Sequence, residues 1–266
     1  MMISIIIPVH NQVEMTRECI GAIRENTDDY EIVIVDNGSE MKEQYKEYME
    51  VLYFDGTMEK VVSTYAPYQE GRVVRNEENL GFPAAVNQGI RAAKGDTIII
   101  LNNDVFVTPR WAEILQERLS DGLDMVGAVT NQISGPQQVL IDQYEDVATL
   151  NIAAESRQKE KEGQWYPWHR LVFFCVAIKK EVIKKIGLLD EIYTPGNYED
   201  DDYCMRAIES GFKLGVAEDC YVHHGGSVTH QALGLNYQEL TLKNRKVFNE
   251  KWGDKYEEMV KKNNEA

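Results

Sequence analysis

Residues 94–109 read KGDTIIILNNDVFVTP, and the fold turns on them. Thr97–Leu101 is a short apolar run with no polar face, the pattern of a strand covered on both sides in a parallel sheet. It runs straight into Asn102-Asn103-Asp104. Upstream, Phe82–Lys94 has helical spacing, and Gly95 stands where a helix often ends on glycine. Further upstream, Arg72–Arg75 reads as a short strand. Glu31–Val35 (EIVIV) is a second buried strand, ended by Asp36-Asn37-Gly38-Ser39. Ile3–Val9 (ISIIIPV) is the first, with Pro8 at its end, where a missing N–H matters little. Asn11 is expected to cap the following helix with Glu14 as its partner, and Met15, Cys19, Ala22 and Ile23 fall at helical spacing. Residues 40–70 are expected to hold a helix and a poorly patterned stretch.

Strand–helix–strand order with buried strands implies a parallel α/β sheet. Such sheets bind ligands outside the carboxyl ends of their strands. Here those ends carry His10-Asn11, Asp36-Asn37, Arg75-Asn76 and Asn102-Asn103-Asp104, so polar side chains collect along one edge.

The second half has a different texture. Residues 131–170 are expected to be irregular, with the charged run Arg157–Glu162 and the aromatic cluster Trp165-Tyr166-Pro167-Trp168-His169. Leu171–Ile178 reads as a strand, Lys180–Ile186 as a short helix and Tyr203–Ser210 as another. Phe212–Val216 and Cys220–His224 read as strands, and Tyr237–Lys262 as a terminal amphipathic helical region. With no repeat or low-complexity linker, the expected organisation is one domain over residues 1–266. It divides into a 1–110 half, a 111–235 half and a 236–266 helical region.

Composition bounds the function. The 266 residues include 28 Lys+Arg against 44 Asp+Glu, a net charge of −16. Such a field does not steer a chain onto nucleic acid or an anionic membrane. A hydrophobic content of 43% separates it from disordered acidic tails. Cys19, Cys175, Cys204 and Cys220 form no C-x-x-C motif and read as buried thiols of a reducing compartment. Ile3–Val9 lacks a basic leader, and Leu171–Ile178 falls far below the ~20 residues of a bilayer span. The expectation is a cytoplasmic protein.

Three groups could carry chemistry. Asp104 is either a turn residue after a strand or a carboxylate able to hold a hard divalent cation. Glu199-Asp200-Asp201-Asp202 is either a helix start enriched in acids or a cluster whose members raise one another's proton affinity, as suits a general base. Arg206 lies four residues after Asp202 and is expected to pair with it, which leaves Glu199 and Asp200 available. His223-His224-Gly225-Gly226 ends a strand with two imidazoles, common metal ligands. Dinucleotide, P-loop, nucleophile-elbow and zincin motifs are absent.

Taken in order, these segments resemble the inverting glycosyltransferases of family 2, which have the GT-A fold. The matching stretches are Ser4–Asn11 (SIIIPVHN), Glu31–Ser39 (EIVIVDNGS), Arg75–Gly89 (RNEENLGFPAAVNQG), Lys94–Pro109, Gly187–Glu191 (GLLDE), Glu199–Arg206 (EDDDYCMR) and Tyr221–Ser227 (YVHHGGS). The nearest subgroup is rhamnosyltransferase-like, with its Asn-Pro-Asp appearing as Asn102-Asn103-Asp104. The resemblance implies a mostly parallel central sheet flanked by helices, with a C-terminal helical region. It also implies metal-dependent inverting transfer of a hexosyl or deoxyhexosyl group, from a UDP- or dTDP-linked sugar, to a hydroxyl of a growing polysaccharide or lipid-linked glycan. Mn²⁺ or Mg²⁺ would be the cofactor.

The resemblance also assigns roles. Pro8 and Val9 would line the nucleotide pocket, and Asp36 would bond the base or ribose. Arg75, Asn76, Asn79, Gly81, Asn87, Asn102 and Asn103 would approach the donor. Asp104 would bind the metal, completed by His223 with His224 as the neighbouring alternative. Asp200 would be the base and Glu199 would position the acceptor. Asn102 replaces an Asp that many relatives carry, so the metal would rest mainly on Asp104. Cys175 stands where relatives often have small residues.

Trp165 and Trp168 could stack on an acceptor sugar or simply pack on the core. The apolar stripe of the terminal helix could cover the core, form a homodimer or touch the inner face of a membrane. The contrasting readings are a GT-A-like carbohydrate-binding or scaffolding domain without catalysis, and nucleotidyl transfer. The latter wants a Gly-rich basic loop, which Pro8–Gln12 does not supply.

Overall fold

The computed structural model describes residues 2–40, 61–62, 70–226 and 237–264. The expected helix within 40–70 lies almost wholly outside them. The described strands are β1 (Ile3–Val9), β2 (Tyr30–Asn37), β3 (Val61–Val62), β4 (Glu70–Asn76), β5 (Thr97–Leu101), β6 (Val105–Phe106), β7 (Met125–Val129), β8 (Trp165–Pro167), β9 (Cys175–Lys179), β10 (Leu214–Tyr221) and β11 (His223–His224). Nine form one mixed sheet in the order β3-β4-β2-β1-β5-β9-β7-β10-β8, and β6 pairs with β11 in a separate ribbon. The block β4-β2-β1-β5 is parallel, as the buried strands require. β9 runs antiparallel between β5 and β7.

Helices α1 (Val13–Asn26), α2 (Phe82–Ala92), α3 (Trp111–Ser120), α4 (Val147–Glu160), α5 (Lys180–Ile186), α6 (Glu199–Glu209) and α7 (Tyr237–Asn264) flank the sheet. The largest apolar cluster joins β1, β2, β5 and β9 to α1 and α3. On the other side, α2, α6 and β10 close a second cluster. The middle of α7 packs Phe248 and Trp252 on Tyr193 and Met205. Among the described residues no helix is long and apolar enough to cross a membrane.

Several local expectations change. The 131–170 segment is partly regular. Asp146 caps α4 through Thr149, whose hydroxyl returns the bond, and Trp165–Pro167 adds an antiparallel edge strand to β10. Residues 171–174 precede β9 instead of joining it, and 214–221 is one continuous strand. The acids begin α6 themselves, so that helix starts at Glu199. Asn11 is not a cap: it adopts φ 57°, and its side chain accepts from the Glu40 N–H at 2.9 Å. Gly95 serves close approach. A β-carbon there would stand 2.7 Å from the Met2 carbonyl and from the Ser4 hydroxyl.

Candidate functional site

The carboxyl ends of β1, β2 and β5 open onto a cleft of about 630 Å³, within the ~300–1,000 Å³ of small-molecule sites. One wall is Pro8, Val9, His10, Asn37, Asn79 and Asn102-Asn103-Asp104; the other is Arg170, Val172–Phe174, Asn197–Asp200, His224 and Thr241. The fold thus brings Asp104 and the Glu199-Asp200 pair to the same cavity.

Asp104 follows β5 at the start of the β6 turn and is buried. Its carboxylate Oδ1 lies 3.3 Å from His224 Nε2. The β6–β11 ribbon sets this contact. His224 pairs with Val105, and the Gly225 N–H donates to the Asp104 carbonyl at 2.8 Å. Successive strand residues face opposite ways, so His223 turns from the cleft and meets the Tyr144 hydroxyl and the Phe106 ring. Of the two histidines expected to contact a metal, His224 therefore lines the cleft and His223 does not.

His224 Nδ1 donates to the Gln132 carbonyl at 2.8 Å. A neutral ring with that bond carries its lone pair on Nε2, the atom beside Asp104. Burial alone would push His224 down, but the Asp104 hydrogen bond and charge outweigh it and hold it above the ordinary value. Metal would have to displace that proton. A hard carboxylate beside an imidazole suits a Mn²⁺-type ion. Among the described residues no group of three acidic, His or Cys side chains could hold a metal, so Asp104 and His224 alone do not complete one.

The acids of α6 divide by partner. Asp202 is fully buried and accepts from Arg206 Nε at 2.8 Å, with the Trp252 indole and the Lys251 ammonium each at 2.7 Å. Asp201 is held by Arg170 at 2.7 Å. Asp200 accepts from the Asp201 N–H at 2.9 Å. Glu199 is buried, and its Oε2 has no hydrogen-bond partner among the described residues. Burial and then the Asp200 charge push the Glu199 carboxyl well above the ordinary range. Burial also raises Asp200, partly offset by Arg170. Three buried acids share one guanidinium, so this group retains a proton to higher pH than free carboxylates do.

Some expected donor residues do not line the cleft. Asp36 accepts from Arg75 at 2.8 Å and from the Ser39 N–H at 3.0 Å, which shapes the β2 exit. Asn76 bonds Asn37 and Gln88 at 2.9 and 2.8 Å. Asn37 in turn donates to Asn79 at 2.8 Å, so this row of amides runs from Asn76, outside the lining, to Asn37 and Asn79, which line the pocket. Asn87 is spent entirely on the Leu189 backbone and the Glu191 carboxylate; it ties α2 to the 189–191 segment and has no polar group left for a donor. Gly81 adopts φ 87°, and a β-carbon there would meet Thr194 and Pro195 within 2.9 Å. Trp165 lies on edge strand β8, and Trp168 stacks on His169 with ring centroids 4.5 Å apart. Neither tryptophan lines the cleft: β8 is at the edge of the sheet, and Trp168 packs on the second apolar cluster. Sequence reasoning did not select His10, Arg170, Tyr198 or Thr241 for the site. Arg170, Tyr198 and Thr241 belong to loops and a helix that only packing brings together.

The glycosyl transferase family 2 model matches residues 4–187, 69% of the chain. Glycosyltransferase AglE of Haloferax volcanii is 24% identical over 221 residues, covering 82% of this chain and 64% of that protein. The chondroitin synthase of Escherichia coli is 24% identical over 253 residues, covering 84% and 34%. The chain thus spans less than two thirds of the length of these relatives. Two solved structures share the fold. The mannosyltransferase PcManGT of Pyrobaculum calidifontis, in complex with GDP-Man and Mn²⁺, aligns with a TM-score of 0.58 at 17% identity, over 84% of this chain and 56% of that one. GalNAc-T7 with UDP, GalNAc and Mn²⁺ aligns at 0.62 and 18%, over 84% and 43%.

Proposed function

Because the chain belongs to glycosyl transferase family 2, we propose that its cleft moves a sugar from a nucleoside-diphosphate donor to a hydroxyl acceptor with inversion. The observation that carries this is the convergence of the Asp104–His224 pair and the Glu199–Asp200 pair on one cavity. Pro8, Val9, Asn79, Asn102 and Asn103 would hold the nucleotide side. Asp104 and His224 would hold a divalent cation. When bound, that cation neutralises charge on the diphosphate leaving group.

The residues of the chain do the rest. Asp200 accepts the proton of the acceptor hydroxyl as its oxygen bonds the anomeric carbon. The carbon–phosphate oxygen bond breaks on the opposite face, and its electron pair leaves with the nucleoside diphosphate. Glu199, kept protonated by burial, can donate to an acceptor oxygen. Arg170 balances the charge left on the acids. The finer reading is a hexosyl- or deoxyhexosyltransferase of rhamnosyltransferase type, acting as one catalytic domain in the cytoplasm on a polysaccharide or glycan acceptor. The GDP- and UDP-bound neighbours support a nucleotide-sugar donor without choosing its base.

Calorimetric titration with nucleoside diphosphates tests the metal pair. The wild-type chain should bind its preferred nucleotide at least about 10-fold more tightly with Mn²⁺ than with EDTA, and Asp104→Ala should lose that enhancement. An enhancement equal in both proteins would remove Asp104 from the metal site.

The pH profile supplies a second test. The base must be ionised, and burial raises the acid group, so activity should fall as pH drops through a limb lying above the ordinary carboxylate range. Asp201→Asn removes a neighbouring charge that raises Glu199 and releases Arg170 toward Asp200. Both changes lower the proton affinity of the pair, so the acid limb of kcat/KM should move to lower pH. A shift to higher pH would overturn the assignment.

A further inference from the structure

The turn that delivers the acid pair is strained and held from both sides. Asn197 and Tyr198, immediately before Glu199, both have φ 74°, a region that costs non-glycine residues about 1–2 kcal/mol. Such conformations persist where the surroundings over-determine them. On the β1 side, the Phe82 N–H donates to the Pro195 carbonyl at 2.8 Å. On the other side stands Asn244, near the start of α7 and beyond the span matched by the family model.

Asn244 is completely buried. Its Nδ2 donates to the carbonyls of Tyr193, Gly196 and Asn197 at 2.7, 2.9 and 3.1 Å. Two amide hydrogens serve three carbonyls, so one bond is shared. Its own Oδ1 is buried without a hydrogen-bond partner among the described residues. An orphaned buried carbonyl is costly, and an apolar side chain would avoid it. What the amide uniquely supplies is a donor where the inverted turn points its carbonyls inward.

We propose that Asn244 is a positioning residue that fixes the 193–198 turn, and through it Glu199 and Asp200, in reacting geometry. The assignment rests on the reading of the cleft as a sugar-transfer centre. With the donor amide gone, Asn197 and Tyr198 relax toward negative φ and carry the start of α6 with them. Displacement of about 1 Å at a reacting group costs about 10²-fold in rate. The nucleotide wall belongs to β1, β2 and β5 and stays in place.

The experiment uses the full chain with Asn244→Ala, the milder Asn244→Ser, and Ile23→Val on α1, buried in the largest apolar cluster, as a packing control away from the turn. Two quantities are read at a temperature well below every melting point. These are Mn²⁺-dependent transfer kinetics and backbone hydrogen exchange over 194–200. Asn244→Ala should lower kcat by about 10–100-fold with donor KM nearly unchanged, and the 196–200 amides should exchange faster. Asn244→Ser should fall between it and wild type. Ile23→Val should lower the melting temperature without either change. If Asn244→Ala matches Ile23→Val in both kcat and exchange, the proposal is overturned. A wild-type chain that transfers no sugar would sink the functional reading instead, and the exchange comparison would still decide whether Asn244 holds the turn.

Discussion

Asp200→Asn should leave a folded chain that still takes up a nucleoside diphosphate with Mn²⁺ and transfers sugar about 10²–10⁴-fold more slowly. The amide has the shape of the carboxyl and keeps an oxygen for the Asp201 N–H, now bonded at 2.9 Å. It cannot take the acceptor proton. Stability should not fall, because the substitution removes a charge that burial already disfavours. The measurement pairs transfer kinetics with nucleotide titration on the same preparation. Wild-type transfer by the variant would move the base to Glu199, the other unpaired acid of the cleft. A loss of nucleotide binding equal to the loss of rate would instead make Asp200 a ligand of the donor.

Asp202→Ala should have the largest effect on stability, about 3–5 kcal/mol. Asp202 is fully buried and gathers Arg206, the Trp252 indole and Lys251. Removing it takes the countercharge from the Arg206 guanidinium, which keeps only the Ile186 and Leu188 carbonyls, and leaves the Trp252 indole N–H unpaired; the lost countercharge carries most of that cost. The same carboxylate joins α6 to α7, so the terminal helix should loosen first. Urea unfolding measures the loss, and backbone hydrogen exchange along α7 measures its location. A destabilisation below about 1 kcal/mol would mean that Lys251 and Arg206 find other partners, such as Asp190, now 3.1 Å from Lys251. The contrast with Asp200 is informative: two residues apart on one helix, one acid has its charge shared by three donors and the other is left for chemistry.

That division was partly legible beforehand. Helical spacing pairs Asp202 with Arg206 whatever the surroundings, and the bond is there. Spacing gave no hint of Arg170, which reaches Asp201 from a loop 31 positions upstream. Nor did it reveal Trp252, which comes from α7. His223 and His224 are equivalent as letters. Ribbon register separates them, placing His224 against Asp104 and turning His223 to Tyr144. Asn87 lies within α2, in a stretch matched by the family resemblance, yet its amide is consumed by the Leu189 backbone. Trp165 and Trp168 could stack on a sugar or pack on the core; edge-strand pairing holds Trp165 away from the cleft, and Trp168 packs on the second apolar cluster.

The sequence by itself determined the parallel block, the polar strand ends and the position of Asp104 after β5. These follow from local pattern: an apolar run buried on both faces, ended by side chains that cannot continue it. It left open whether the acids open a helix: its pattern begins that helix at Tyr203, and the structure starts α6 at Glu199. The tertiary structure alone decided which acids meet donors, which histidine faces the cleft, and that Asn244 grips the turn before Glu199. Each of these depends on what another segment brings within hydrogen-bonding distance, and burial then fixes the energetic weight of the contact. Neither separation nor burial is written in residues adjacent along the chain.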